Sequence, residues 1–180
     1  LPLSSSGERQ VTPMPRKTRT KIEIDSLSDV GKRRESNQDR VFSRKGKVSN
    51  LQADALLIVA DGMGGHKGGE VASKITVDHM CNAFKTASKD TSPAVFLERS
   101  INSTNDIVLA KAQEGPEYEG MGTTIVAVII KDDEAHIAHV GDSRLYLFRY
   151  NQPFFKTKDH SFVQDLVDQG LISEPEAETH

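Results

Sequence analysis

Six consecutive apolar residues, Ala55, Leu56, Leu57, Ile58, Val59 and Ala60, run straight into Asp61 and Gly62. A short apolar run without polar alternation suits a strand covered on both faces, and its abrupt end delivers a carboxylate at the strand tip. A glycine-rich connection follows, from Gly62 through Met63, Gly64, Gly65, His66, Lys67 and Gly68 to Gly69. Val71, Ala72, Ile75, Val77, Met80, Ala83 and Phe84 then recur at helical spacing, as do Leu97, Ile101, Val108 and Ala112 farther on. Two consecutive amphipathic helices are expected, separated at Ser92 and Pro93, with the proline in a first turn.

Ile22, Glu23 and Ile24 alternate like a half-buried strand. A β-branched run over residues 123–130, a turn at residues 131–134, and apolar runs over residues 135–140 and 144–150 read as an antiparallel meander. In the tail, Phe162, Leu166, Val167 and Leu171 are spaced for a helix that stops at Gly170. Strands, then two helices, then strands again, without a strand-helix-strand rhythm, argue for a layered α/β (α+β) protein rather than a doubly wound parallel sheet.

Residues 1–20 combine Pro2, Pro13, Pro15, a serine run and no apolar periodicity, which predicts a disordered arm. It is basic, a solvated extension or a contact for an acidic surface, and Met14 heads a sensible start, so that the residues before it need not be native. The whole chain of 180 residues carries a net charge of -3, which disfavours nucleic acid as a partner. One cysteine, Cys81, leaves no internal disulfide. No run of about 18 apolar residues marks a membrane span. A cytoplasmic, membrane-free protein is the expectation, and a monomer the default.

Three aspartates sit where a strand yields to glycine or a turn: Asp39 after Asn37 and Gln38, Asp61 before Gly62, and Asp142 between Gly141 and Ser143. Each is a natural turn former. Together they are also the hard oxygen donors that Mg²⁺ and Mn²⁺ prefer, and no Cys or His cluster has zinc spacing. The residues alone leave both readings open.

The motifs in combination resemble those of the metal-dependent Ser/Thr protein phosphatases of the PPM (PP2C) family. In order, they are the stretch from Asp29 through Arg33, Arg34 and Asn37 to Asp39; the run ending in Asp61, Gly62, Met63, Gly64, Gly65 and His66, with Gly69, Ala72 and Ser73; Gly120 to Thr124 with its two threonines; His139, Val140, Gly141, Asp142, Ser143 and Arg144; and Thr157, Lys158, Asp159, His160 and Ser161. Met63 and Gly64 look like the bacterial branch. The resemblance implies an α-β-β-α sandwich, incomplete at its C-terminal end, in which residues 21–180 form the N-terminal part of the phosphatase domain and residues 155–180 begin a surface flap.

It also implies site roles. Asp61 would bridge two Mn²⁺ or Mg²⁺ ions, with the Gly62 carbonyl completing one sphere; Asp39 would hold the second ion through water, and Asp142 a third, weaker one. Arg34 would grip the substrate phosphate, for which its planar fork is suited. Arg33 has no such match, and Arg144 reads as a structural ion-pair partner. The implied activity is hydrolysis of phosphoserine and phosphothreonine in proteins, opposing Ser/Thr kinases. No phosphoenzyme nucleophile is then needed, and Cys81 reads as a small buried hydrophobe.

Two departures stand out. Gln38 occupies a place where many relatives have Glu, and the two further aspartates that relatives supply downstream do not occur before residue 180. The expectation is therefore a chain that is weakly active or inactive by itself. A non-catalytic phosphatase-like binding or regulatory module is the alternative, and a structural domain whose aspartates are only turns is a third reading.

Overall fold

The structure, a computed structural model, describes residues 21–32, 34, 36–46, 49–64 and 68–177. The predicted basic arm, Arg33 and His66 lie outside the described residues. The long apolar run forms β2 (Ala55–Met63), flanked in one antiparallel sheet by β1 (Asp39–Lys45) and β4 (Ile125–Lys131), with β5 (Glu134–Val140) beyond β4. A two-residue strand, β3 (Gly122–Thr123), pairs with the end of β2 at Gly62 and Met63.

Register decides which side chains meet the helices. Phe42 lies opposite Ile58, Ile58 opposite Ala127, and Leu56 opposite Ile129, so these residues share one face. Helices α1 (Gly68–Thr86) and α2 (Pro93–Ala112) pack there. Leu56, Ile58, Ile125, Ala127 and Ile129 close on Met80, Cys81, Phe84, Phe96 and Leu97 to make the core. Phe84 and Phe96 meet edge to face, with centroids 5.8 Å apart. Cys81 is free and buried, as expected of a small hydrophobe. Ser92 caps α2 by accepting the Val95 N–H at 3.3 Å, and Pro93 occupies the first turn, where its missing N–H costs nothing.

The predicted α/β class with an antiparallel sheet matches the structure; among the described residues it is built as one helical layer on one sheet. That arrangement corrects the expectation that β2 is covered on both faces. The face opposite the helices carries Val41 and Val59, which are 37% and 42% exposed. An apolar run without alternation records apolar contacts only on average, and here the helices supply them on one side.

Residues 21–30, expected to begin with a strand, have no regular structure. Ile22 and Ile24 remain half-buried, so the alternation marks a face, but no neighbouring strand takes up the main-chain groups.

The meander also needs correcting. The turn at Asp132 and Asp133, both at positive φ, joins β4 to β5 as predicted. Beyond Val140 the chain leaves the sheet, and β6 (Tyr146–Arg149) and β7 (Gln152–Lys156) form a separate hairpin. Its turn places Tyr150 and Asn151 at φ of 51° and 59°, the conformation whose twist suits a two-residue hairpin loop. A self-sufficient turn needs no third strand.

Ser161 caps α3 (Phe162–Asp168), and Gly170 ends it at φ +70°, as its position in the sequence implied. A single turn, α4 (Glu174–Ala177), follows without having been expected. Phe162 and Leu171, two of the apolar residues spaced for the tail helix, are 75% and 66% exposed.

The asymmetry of β2 gives a direct test. Ile58 is fully buried and its neighbour Val59 is not, so Ile58→Ala is expected to cost about 2–5 kcal/mol and Val59→Ala less than about 1 kcal/mol. Urea unfolding of the two variants reads the difference.

Candidate active site

Asp39 opens β1, Asp61 lies near the end of β2, and the ladder sets them directly opposite one another. Phe42 and Ile58 face the helices, so by alternation both carboxylates project from the other face. Like charges at directly opposed positions of a sheet are unfavourable. Burial, and next the Asp39 carboxylate, push the Asp61 carboxyl above the ordinary aspartate range; Arg34 pulls it down and Asp142 pushes it up further. Arg34 Nη1 stands 4.0 Å from Asp61 Oδ1, with both side chains about half exposed, so water screens much of this attraction.

What holds Asp61 in place is its main chain. Its N–H donates to the Thr124 hydroxyl at 3.1 Å. Its carbonyl accepts the Thr124 N–H at 2.9 Å and the Thr123 hydroxyl at 3.0 Å. On the other side, the Gln38 carbonyl accepts the Gly62 N–H at 3.2 Å and the Ser73 hydroxyl at 2.6 Å, tying β1, β2 and α1 together. Glycine is needed where they cross: a Cβ on Gly62 would lie 2.0 Å from the Gly69 carbonyl oxygen. The loop before Asp39 is shaped by its own side chains. Asp29 accepts the Gly31 N–H at 2.6 Å, and Asn37 accepts the Asp39 N–H at 2.9 Å while donating to Ser28.

Asp142 belongs to the turn after β5, and that turn is anchored to the same threonine. Gly141, at φ +102°, packs so tightly against Thr124 that an added Cβ would sit 2.7 Å from its Cγ2. Ser143 and Thr124 share a hydroxyl hydrogen bond of 2.6 Å. Next to it, Arg144 forms a bidentate pair with Asp159, at 2.8 Å from Nε and 2.7 Å from Nη2. The arginine was expected as a structural ion-pair partner, and the pair holds the Asp159 carboxyl below the ordinary aspartate range. His139 bonds the Lys158 carbonyl at 2.8 Å and stacks on His160.

Arg34, Asp39, Asp61 and Asp142 thus gather around one end of the sheet. Among the described residues, no three His, Cys, Asp or Glu side chains form a metal-holding group. The donors present are the opposed pair Asp39 and Asp61 with the adjoining Gly62 carbonyl, all hard oxygens, and a divalent cation would relieve the repulsion within the pair. Thr123, Thr124 and Ser73 lie within the motifs, which by themselves assign them no task, and Gln38 acts here through its main-chain carbonyl. Small hydroxyl residues beside glycines were the available signal, but which carbonyl they bond depends on the strand crossing.

A family model described as protein phosphatase 2C matches residues 31–165. The chain is similar to the protein phosphatase PhpP of Streptococcus pneumoniae, 36% identical over 161 residues, which cover 88% of this chain and 63% of that protein. Among solved structures, a serine/threonine phosphatase of S. agalactiae superposes with a TM-score of 0.75 at 37% identity, covering 86% of this chain and 62% of that one. The catalytic domain of the serine/threonine phosphatase PstP, in complex with two manganese ions, gives 0.69 at 36% identity, covering 84% and 61%. The chain therefore spans less than two thirds of the length of these relatives.

Removing one charge of the opposed pair should stabilise the metal-free protein. Asp39→Asn is expected to raise its melting temperature by about 1–3 °C in calorimetry, the size that follows from a cross-strand repulsion of a few tenths to 1 kcal/mol. The Arg144 and Asp159 pair has the opposite sense. Its carboxyl titrates lower in the folded state, so its contribution is complete above the ordinary aspartate pKa of 3.8 and is lost as the pH falls through the depressed value. Asp159→Asn should cost about 1 kcal/mol at pH 7 and flatten the acid limb of stability against pH.

Proposed function

The chain belongs to the protein phosphatase 2C family, and we propose that its carboxylates hold Mn²⁺ or Mg²⁺ for the hydrolysis of phosphoserine and phosphothreonine in proteins. The observation that carries this reading is the placement of Asp61 opposite Asp39 with the Arg34 guanidinium alongside. Asp61 would bridge two ions with the Gly62 carbonyl as a further donor, Asp39 would hold one of them through water, and Asp142 would serve a third, weaker site. The cations, when present, supply positive charge for the phosphoryl oxygens and make hydroxide accessible near neutral pH.

The residues of the chain do the rest. The guanidinium of Arg34 presents a planar donor fork to the phosphoryl dianion, in a place open enough for a protein side chain to enter. Thr123 and Thr124 hold the Asp61 main chain so that its carboxylate keeps its position while the partial charges around it change. The segment from residue 155 onward would be the beginning of a flap beside the site, and its tether from Asp159 to Arg144 supports that reading.

Within the same proposal, the substrates are phosphoproteins made by Ser/Thr kinases, and the protein acts as a cytoplasmic monomer. No described helix is long and apolar enough to cross a membrane, and the free, buried Cys81 suits a reducing compartment. One observation favours the second reading, a phosphatase-like module that binds without turnover: the described carboxylates come as a pair rather than as a set of three.

Titration with Mn²⁺, followed by calorimetry and by phosphate release from a phosphothreonine peptide, separates the readings. Binding that is weakened at least about tenfold in Asp61→Asn supports the metal site. Turnover that needs Mn²⁺ and falls by about a hundredfold or more in Arg34→Ala, with only part restored by Arg34→Lys, supports the enzyme. Mn²⁺ binding without turnover selects the module, and no binding overturns the metal-dependent enzyme while leaving the module, which needs no ion.

A further inference from the structure

On the helical side of the sheet, a cavity of about 450 Å³ opens between the end of β2, the short strand β3 and the two long helices. Its size falls within the range of small-molecule sites. The wall is mainly apolar, with Met63, Ile101, Val108, Leu109, Met121 and Ile125 prominent in it. Thr76, Thr104 and Asn105 add neutral polar groups, and none of the described residues that line it is ionisable.

One group in that wall lacks what its burial demands. Thr76 is 1% exposed, and its hydroxyl oxygen has no hydrogen-bond partner among the described residues. A neighbouring buried threonine shows the usual solution, since the Thr104 hydroxyl donates back to the Ser100 carbonyl at 2.6 Å. A buried hydroxyl left unpaired is costly, and such groups call for a partner. In the body of a helix, valine would fill the same space without that cost.

We propose that this cavity is a binding site for a small, uncharged, mostly apolar molecule that carries one hydrogen-bonding group for the Thr76 hydroxyl. Charged ligands are disfavoured because no described residue of the wall would compensate their desolvation. Arg34, Asp39, Asp61 and Asp142 do not line it, so the site is distinct from the carboxylate pair. It nevertheless reaches the same strand end: Met63 pairs with Gly122 and Gly62 with Thr123, and the Thr123 hydroxyl bonds the Asp61 carbonyl. An occupant would rest against that register.

The test uses benzyl alcohol and toluene as probes, titrated into the chain while methyl resonances of Ile, Leu, Val and Met are followed by NMR. Saturable shifts confined to Met63, Ile101, Val108, Leu109, Met121 and Ile125, abolished when the space is filled in Ile101→Trp, are expected. Thr76→Val should keep the fold and the toluene affinity while weakening benzyl alcohol by about fivefold to tenfold, the loss of one hydrogen bond. Shifts that do not saturate, that scatter over the surface or that survive Ile101→Trp overturn the site. An equal effect of Thr76→Val on the two probes overturns the role of the hydroxyl. None of these readings requires a metal ion or turnover, so the phosphatase reading can fail while this one stands, and the reverse.

Discussion

Two like-charged carboxylates placed opposite one another on neighbouring strands are the constraint around which this molecule is arranged. Left to itself, the pair formed by Asp39 and Asp61 would splay the strand ends, and burial, followed by the Asp39 carboxylate, pushes the Asp61 carboxyl upward. The fold resists by holding main chain rather than side chain. Thr123 and Thr124 occupy the carbonyl and N–H of Asp61, and the Gln38 carbonyl ties the adjoining Gly62 to Ser73 on α1. Both carboxylates remain free of such bonds to the threonines, which is what a cation site requires.

The same clamp organises the neighbourhood. Thr124 reaches Ser143 as well as Asp61, and the tight contact of Gly141 on its methyl group brings Asp142 into electrostatic range. One step farther, the fork of Arg144 on Asp159 fastens the chain beyond the β6 and β7 hairpin to this corner. The helices stabilise the arrangement from behind, where Ile58, Met80, Phe84 and Ile129 exclude water from the sheet. On the front, between the carboxylates at one end and Ser43 and Lys45 toward the other, Val41 and Val59 are partly open to solvent.

Much of this was legible in the residues. The β2 run, its terminal aspartate, the break at Ser92 and Pro93 and the turn at Asp132 and Asp133 are set by interactions within a few positions of chain, and each lies where the pattern put it. The ordered motifs pointed to the phosphatase 2C family, to which the chain belongs. Less legible were the pairing partners. Ile22 and Ile24 alternate but, among the described residues, pair with no strand, and the run after Asp142 turned into a hairpin of its own because Tyr150 and Asn151 close it locally. Phe162 and Leu171 keep helical spacing yet lie exposed, because spacing identifies an apolar stripe and not what covers it.

By itself, the sequence determined the kinds of element, their order and the identity of the acidic groups, since periodicity, capping and turn chemistry act over short separations. Tertiary structure alone decided that Asp39 lies across from Asp61, that the threonines after Gly122 hold its main chain, and that the Thr76 hydroxyl is enclosed without a partner. The reason is physical: strand register and helix docking are long-range choices, made by complementary surfaces many residues apart, and no local pattern specifies which atoms will meet.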